Sequence, residues 1–141
     1  ELNHIKVEKN YSTEVCDVAA DSERIKLALL NIIVNAIEAM EKNKGVLRVK
    51  TTKQGEKSLI TIADNGKGMD EETLQKIFEP YFTSKIQGNG LGLTNTQNII
   101  LSHQGNIKVI SRPEQGTTFT ITLNIAKESN VDFFPQNEAK T

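Results

Sequence analysis

The order in which strand-like and helix-like patterns follow one another limits the folds that this sequence can adopt. Apolar and polar side chains alternate over residues 46–53 and 57–63 around a short Gln54-Gly55-Glu56 turn, and again over residues 106–112 and 117–125. Alternation on either side of a turn predicts two antiparallel hairpins. Apolar residues spaced as in amphipathic helices precede the first hairpin and occur between the two hairpins. We therefore expect an α/β two-layer sandwich, in which a mixed, mostly antiparallel sheet packs against a layer of helices.

The remaining elements are a first strand and three helices. They are predicted, in this order, over residues 4–11, 22–41, 70–78 and 93–103. Asp21 and Asp70 are the expected N-caps of the first two helices. The first helix has so many apolar residues that we expect burial on most of its circumference. Gly45 is expected in the left-handed conformation that often follows a helix end.

The composition is that of one globular domain. The chain has 141 residues, of which 37% are hydrophobic and 25% charged, and its net charge is −1. This balance argues against a strongly basic nucleic-acid-binding protein, although a local patch is compatible with it. The lone Cys16 cannot form an internal disulfide, and no apolar run approaches the roughly 20 residues of a membrane span. We expect a cytoplasmic domain over residues 1–126 and a polar, disordered tail over 127–141. Because the chain starts at Glu1 rather than Met, we expect it to be a piece of a longer protein.

Three polar residues share one face of the first predicted helix. Asn31, Asn35 and Glu38 occupy positions i, i+4 and i+7 among residues that are almost all apolar. One interpretation is that the amides cap nearby backbone or face solvent. The other is that this face lines a polar ligand site, since an amide oxygen is a suitable ligand for Mg²⁺. Glu38 could order metal-bound water or form a surface ion pair.

Five of the nine glycines lie in two short loops. Asp64-Asn65-Gly66-Lys67-Gly68-Met69 directly follows a strand, and Gly88-Asn89-Gly90-Leu91-Gly92-Leu93 opens a helix. The first loop is compatible with an ordinary Asx turn or with close approach of backbone to a ligand. The second is typical of phosphate binding at a helix N-terminus, with a flexible linker as the alternative. The sequence contains no P-loop, Rossmann or eukaryotic-type protein kinase motif.

Five segments together resemble the catalytic ATP-binding domain of bacterial sensor histidine kinases, with its N, G1, F, G2 and G3 boxes. They are, in order, Asn31-x-x-x-Asn35-Ala36, Asp64-x-Gly66-x-Gly68-Met69, residues 78–85, residues 88–93 and Gly116-Thr117-Thr118-Phe119. The wider superfamily of gyrase, Hsp90, histidine kinases and MutL shares the Bergerat ATP-binding fold. Each box alone is a weak signal, whereas five in this order are specific.

The resemblance implies ATP and Mg²⁺ as ligands. Asn35 would ligate Mg²⁺ through its amide oxygen, with Asn31 assisting near the phosphates. Asp64 would accept a hydrogen bond from the adenine amino group, with Gly68 in the adenine pocket and Thr118 close to it. The full set of candidate nucleotide-binding residues is Asn31, Asn35, Glu38, Asp64, Gly66, Gly68, Met69, Phe82, Lys85, Gly88, Gly90, Leu91, Gly92, Leu93 and Thr118. The candidate catalytic residues are Asn31, Asn35 and Lys85.

The resemblance also implies that residues 79–90 form an ATP lid. Lys85 would reach the phosphates as a point charge, and the glycines of the second loop would let the helix N-terminus approach the triphosphate. Phe78 and Phe82 would anchor the lid, although core packing is the preferred interpretation for Phe78.

One position departs from the ATPases of the superfamily. They place a Glu four residues before the metal-ligating Asn, as the base for the attacking water, and this chain has Asn31 there. Because an amide cannot act as a base, we expect transfer to a protein nucleophile rather than hydrolysis. His4 and His103 both lack the context of the family's phosphoacceptor, so we expect the acceptor on another domain.

The resemblance therefore implies the ATP-binding kinase module of a two-component sensor histidine kinase. The expected partners are the histidine-containing dimerisation domain of the same kinase and, indirectly, a response regulator. No nucleic acid or direct membrane contact is expected, although missing upstream segments could tether the protein to a membrane. The isolated domain is expected to be monomeric and the full-length kinase homodimeric. Alternatives are a nucleotide-gated partner-binding module, an anti-sigma-type serine kinase and, less favoured, a hydrolase of the gyrase/Hsp90 type.

Overall fold

The computed structural model describes residues 5–11, 21–79 and 92–125. Its elements are β1 (Lys6–Asn10), α1 (Ser22–Ala39), β2 (Val46–Gln54), β3 (Lys57–Asp64), α2 (Glu71–Leu74), α3 (Gly92–Ser102), β4 (Asn106–Arg112) and β5 (Gly116–Asn124). The predicted order of strand, helix, hairpin, two helices and hairpin is confirmed. Of the predicted 70–78 helix, only α2 is regular, and turns follow it.

The five strands form one mixed sheet in the order β1-β2-β3-β5-β4. Strand β1 pairs in parallel with β2, and all other pairs are antiparallel. Asp64 lies opposite Thr117, which in turn lies opposite Ser111. Because directly paired residues project to the same face, these three side chains form a row across the last turns of three strands.

The core lies between one face of the sheet and the helices. Its most deeply buried apolar side chains are Ala28, Ile32, Ile62, Ile100, Ile121 and Leu123. Within the described ranges, the buried polar residues are Ser58, Thr96 and Thr117. A buried polar group needs a hydrogen-bond partner. Thr96 finds one at Gly92, in the second glycine loop, and Thr117 finds one at Ser111, next to the first.

Helix α1 begins as predicted at its Asp21 cap, whose side chain accepts hydrogen bonds from the backbone of Glu23 and Arg24. The expectation of burial on most of its circumference is wrong. Leu27, Leu30 and Val34 are 48%, 55% and 40% exposed. The reason is that a single sheet and one neighbouring helix cover only one side of α1, and apolar density does not specify which side.

The chain leaves α1 differently from the prediction. Asn43, with φ of 69°, takes the left-handed conformation in place of Gly45. Gly45 is buried, and a Cβ there would meet Ile5 and Met40 at 2.9 Å. Its small size therefore serves packing rather than helix termination. No helix in the described ranges is long and apolar enough to cross a membrane.

Candidate functional site

Asn31 is the polar residue of α1 whose contacts are best defined. Its Nδ2 donates to the Gly92 carbonyl oxygen and to Thr96 Oγ1, both at 3.2 Å. The carbonyl oxygen can only accept, so the amide nitrogen faces α3 and Oδ1 lies on the other side of the carboxamide. The predicted polar face is thus joined to the helix that the second glycine loop opens.

Thr96 was not predicted to matter. It is fully buried, at 0% exposure, and its Oγ1 lies 2.8 Å from the Gly92 carbonyl oxygen and 3.5 Å from that of Ala28. The available signal was its spacing: it precedes the core residues Ile99 and Ile100 by three and four positions, so a hydroxyl occupies a core position of an amphipathic helix. A buried hydroxyl there requires partners, and Asn31 is one of them.

Asn35 and Glu38 follow Asn31 on the same side of α1. Asn35 is half-buried and Glu38 is exposed. Within the described residues no group of three or more His, Cys, Asp or Glu side chains could hold a metal ion. An amide oxygen completed by phosphate and water is a different kind of Mg²⁺ site, which needs no such cluster.

Asp64 ends β3 with its side chain on the helix-covered face. One carboxylate oxygen accepts the Gly66 N–H at 2.8 Å, and the Thr117 N–H also donates to the group. Burial nevertheless raises the pKa of the Asp64 carboxyl above its ordinary value, because desolvation outweighs the two hydrogen bonds. Asp64 is therefore a partly desolvated acceptor whose remaining lone pairs suit a polar ligand.

The threonine beside Asp64 differs from the one that was predicted. Thr118 pairs with Ala63 and projects to the face of the sheet that the helices do not cover, whereas Thr117 pairs with Asp64. Side chains alternate along a strand, so Thr117 replaces Thr118 beside the carboxylate. The prediction named Thr118, and the structure places the adjacent Thr117 on the Asp64 side of the same strand.

Ser111 is a second residue that the sequence did not reveal. Its Oγ accepts the Met69 N–H at 2.9 Å and lies 2.8 Å from Thr117 Oγ1 and 3.0 Å from the Gly116 carbonyl oxygen. These bonds connect Met69, a predicted site residue that packs partly buried against the core, to the β4–β5 hairpin. A polar residue at an inward position of β4 was the signal.

Gly66 and Gly68 allow the first loop to lie against its neighbours. A Cβ on Gly66 would overlap the Ala39 carbonyl oxygen at the end of α1. Gly68 has φ of +68°, and a Cβ there would overlap the Arg112 carbonyl oxygen. Both glycines are required by the protein's own backbone. The loop is thereby fixed between α1 and the β4–β5 turn.

Gly92 and Leu93 begin α3, and Leu93 packs partly buried against the core. A Cβ on Gly92 would lie 3.9 Å from Asn31 Cγ, an ordinary contact, so packing against the described residues does not require a glycine there. Phe78 is partly buried against the core, in agreement with the preferred interpretation of core packing. Its carbonyl oxygen accepts a hydrogen bond from the Thr94 hydroxyl at 2.9 Å. The other predicted site residues lie outside the described residues: Phe82, Lys85, Gly88, Gly90 and Leu91.

These features define an ATP-binding domain of the Bergerat type, and comparison with known proteins gives the family. Residues 20–127 match the histidine kinase-, DNA gyrase B-, and HSP90-like ATPase family. The chain belongs to this family, as the five boxes predicted.

The relatives include sensor kinases. The signal transduction histidine-protein kinase AtoS of Escherichia coli (strain K12) is 43% identical over 118 residues, which cover 83% of this chain and 19% of AtoS. Sporulation kinase C of Bacillus subtilis (strain 168) is 36% identical over 129 residues, which cover 91% of this chain and 30% of that kinase. The chain thus spans less than a third of these curated relatives.

The fold also matches a solved structure. The nucleotide-free catalytic domain of histidine kinase ThkA superimposes with a TM-score of 0.78 at 34% sequence identity, covering 88% of this chain and 81% of that domain. The predicted two-layer Bergerat architecture is confirmed.

Proposed function

We propose that this domain binds Mg-ATP and transfers the γ-phosphoryl group to a histidine on a separate domain of the same kinase. The observation that carries the proposal is the junction of Asn31 with Gly92, which brings the polar face of α1 to the N-terminus of α3. A helix N-terminus and amide groups together suit a phosphate chain with its metal. Asp64 supplies an acceptor for the adenine end.

The residues present fit a bound Mg²⁺. The Asn31 amide nitrogen is engaged by α3, so oxygen rather than nitrogen is the free face of that carboxamide. Asn35 would be the metal ligand, with Asn31 beside the phosphates. The ion would neutralise charge on the phosphate oxygens, and phosphates and water would complete its coordination.

The chemistry is transfer rather than hydrolysis. Neither carboxamide can take a proton from water, so Asn31, at the position where the ATPases of the superfamily carry a Glu, cannot act as the base for a water molecule. The attacking imidazole nitrogen forms a bond to the γ-phosphorus as the bond to the ADP oxygen breaks, and the imidazole proton passes to solvent. The domain contributes positioning and charge stabilisation, which carry most of the catalysis in phosphoryl transfer.

His103 is not suited to be the acceptor. Its Nε2 accepts the Asp21 N–H at 3.0 Å and its Nδ1 lies 2.8 Å from the Ile99 carbonyl oxygen. Because the backbone donates to Nε2, Nδ1 carries the proton and both ring nitrogens are occupied. His4 lies outside the described residues. The acceptor is therefore proposed on the dimerisation domain, with a response regulator as the next recipient and a cytoplasmic location for the reaction.

The test mixes the domain with labelled Mg-ATP and the dimerisation domain of the same protein. We expect a phosphorylated partner whose label is lost in acid and kept in base, as for phosphohistidine, and no transfer in EDTA. An acid-stable label would indicate a serine kinase instead. Tight nucleotide binding without any label would favour a nucleotide-gated docking module.

A further inference from the structure

The hydroxyl of Thr96 lies near three groups: the Gly92 carbonyl oxygen, the Asn31 amide nitrogen and, at 3.5 Å, the Ala28 carbonyl oxygen. It has one hydrogen to donate, and its shortest contact is the 2.8 Å approach to the Gly92 carbonyl oxygen. A lone pair therefore remains for the Asn31 amide nitrogen at 3.2 Å. The second amide hydrogen of Asn31 goes to the same Gly92 carbonyl oxygen. Both hydrogens of the carboxamide are thus used.

We infer that Thr96 is a positioning residue that fixes the orientation of the Asn31 carboxamide. An Asn side chain can rotate about its last torsion, and a half-turn would exchange its oxygen and nitrogen. That rotation would set Oδ1 against the Gly92 carbonyl oxygen and the lone pair of Thr96, which are both acceptors. The two contacts therefore hold Oδ1 on the side away from α3.

The consequence of this orientation rests on the proposed function. If the face of α1 holds a metal–phosphate group, Oδ1 is the atom of Asn31 that metal-bound water or the metal would contact. Thr96 itself is fully buried behind Asn31, and this burial keeps its hydroxyl from direct contact with a ligand at the surface of the site. Its loss is expected to affect the phosphate end of the site and to leave the adenine end unchanged.

The first test needs no nucleotide. Thr96→Val has nearly the same shape and lacks the acceptor, whereas Thr96→Ser keeps the hydroxyl. In ¹⁵N-labelled protein, with the Asn31 side-chain amide assigned by its loss in Asn31→Asp, we expect Thr96→Val to shift this signal and to speed its solvent exchange. Thr96→Ser should resemble the wild type. An Asn31 amide signal that is identical in the wild type and Thr96→Val would overturn the inference.

The second test compares the affinities for adenosine and for a Mg-bound non-hydrolysable ATP analogue. Loss of one hydrogen bond predicts about 3- to 10-fold weaker binding of the Mg–nucleotide by Thr96→Val, no change for adenosine, and recovery in Thr96→Ser. Ser102→Ala is the control, since the Ser102 hydroxyl lies against the Ile99 carbonyl oxygen and His103 Nδ1 at the opposite end of the same helix. Equal weakening for both ligands would assign Thr96 a purely structural role and refute the inference.

Two further outcomes are distinguishable. If Thr96→Val does not fold, Thr96→Cys keeps a side chain of similar size with a much weaker acceptor, and the same pair of measurements applies. If the wild type binds neither adenosine nor the Mg–nucleotide, the proposed function fails, while the amide signal still decides whether Thr96 holds Asn31.

Discussion

Asp64→Asn should separate the stability of this domain from its ability to hold an adenine base. Burial raises the pKa of the carboxyl although the N–H groups of Gly66 and Thr117 both donate to it. Folding therefore favours the protonated form, and ionising Asp64 costs stability. The free energy of unfolding should fall as pH rises from about 4, the unfolded pKa, through the higher folded pKa, and should stay lowered above it.

Removing the charge removes that cost. The Asn oxygen can still accept a backbone N–H, with the weaker hydrogen bond of a neutral acceptor. These two effects oppose each other, so we expect the free energy of unfolding at pH 7 to change by less than about 1 kcal/mol. For nucleotide binding we expect no opposing gain, because only the hydrogen bond to the ligand is changed. Loss of a charged acceptor should weaken it by about 1.5–3 kcal/mol, or roughly 10- to 150-fold.

The assay combines calorimetric titration with ADP and thermal unfolding between about pH 2 and 8, a range that extends below the ordinary carboxyl pKa of about 4. Asp70→Asn is the control with the opposite pH dependence, because the Thr73 N–H lowers the pKa of the exposed Asp70 cap. The stabilising effect of Asp70 is present above its unfolded pKa and is lost as pH falls. Unchanged ADP affinity in Asp64→Asn, or a loss of stability like that of a core cavity, would refute the reasoning.

The other predictions concern backbone geometry and hydrogen bonds. Gly68→Ala should lower the free energy of unfolding in chemical denaturation by more than about 2 kcal/mol. Gly55 has a similar positive φ but no atom of the described residues within 4 Å of an added Cβ, so Gly55→Ala should lower it by only about 1 kcal/mol; equal losses would contradict the predicted clash. His103→Ala should cost about 1–2 kcal/mol of stability, with nucleotide affinity unchanged. Ser111→Ala should weaken ADP binding several-fold and Thr118→Val should not; the reverse order would restore Thr118 to the site.

Much of the fold follows from patterns that the sequence states directly. Period-two alternation with a short turn determined both hairpins, and Asp21 and Asp70 cap the helices that they were expected to cap. The parallel pairing of β1 with β2 did not follow, because partner and direction depend on contacts distant in sequence. The exposure of one side of α1 was not predictable for the same reason, because the helix sequence does not specify how many elements pack against it.

For the candidate site, the sequence indicated the types of residue but not the face of the sheet to which each side chain projects. Asn31 and Asp64 stand out because each places a polar group next to apolar sequence. Thr117 and Thr118 are identical in type, and only the strand register decides between them, since a shift of one residue exchanges the two faces. Thr96 and Ser111 act through hydrogen bonds to residues 65 and 42 positions away, which no local pattern contains.

Because Gly66 packs against the Ala39 carbonyl, helix α1 sets a fixed distance between the loop at Asp64 and the amides of Asn35 and Asn31. With the loop that carries Asp64 fixed to the end of the helix, a rise of 1.5 Å per residue puts Asn35 about 6 Å and Asn31 about 12 Å back along the axis. If the adenine end is held at Asp64 as proposed, a nucleotide would reach these amides only in proportion to the length of its phosphate chain. A rigid helix would thus let the domain distinguish nucleotides by their number of phosphates, since each added phosphate extends the ligand toward the next amide.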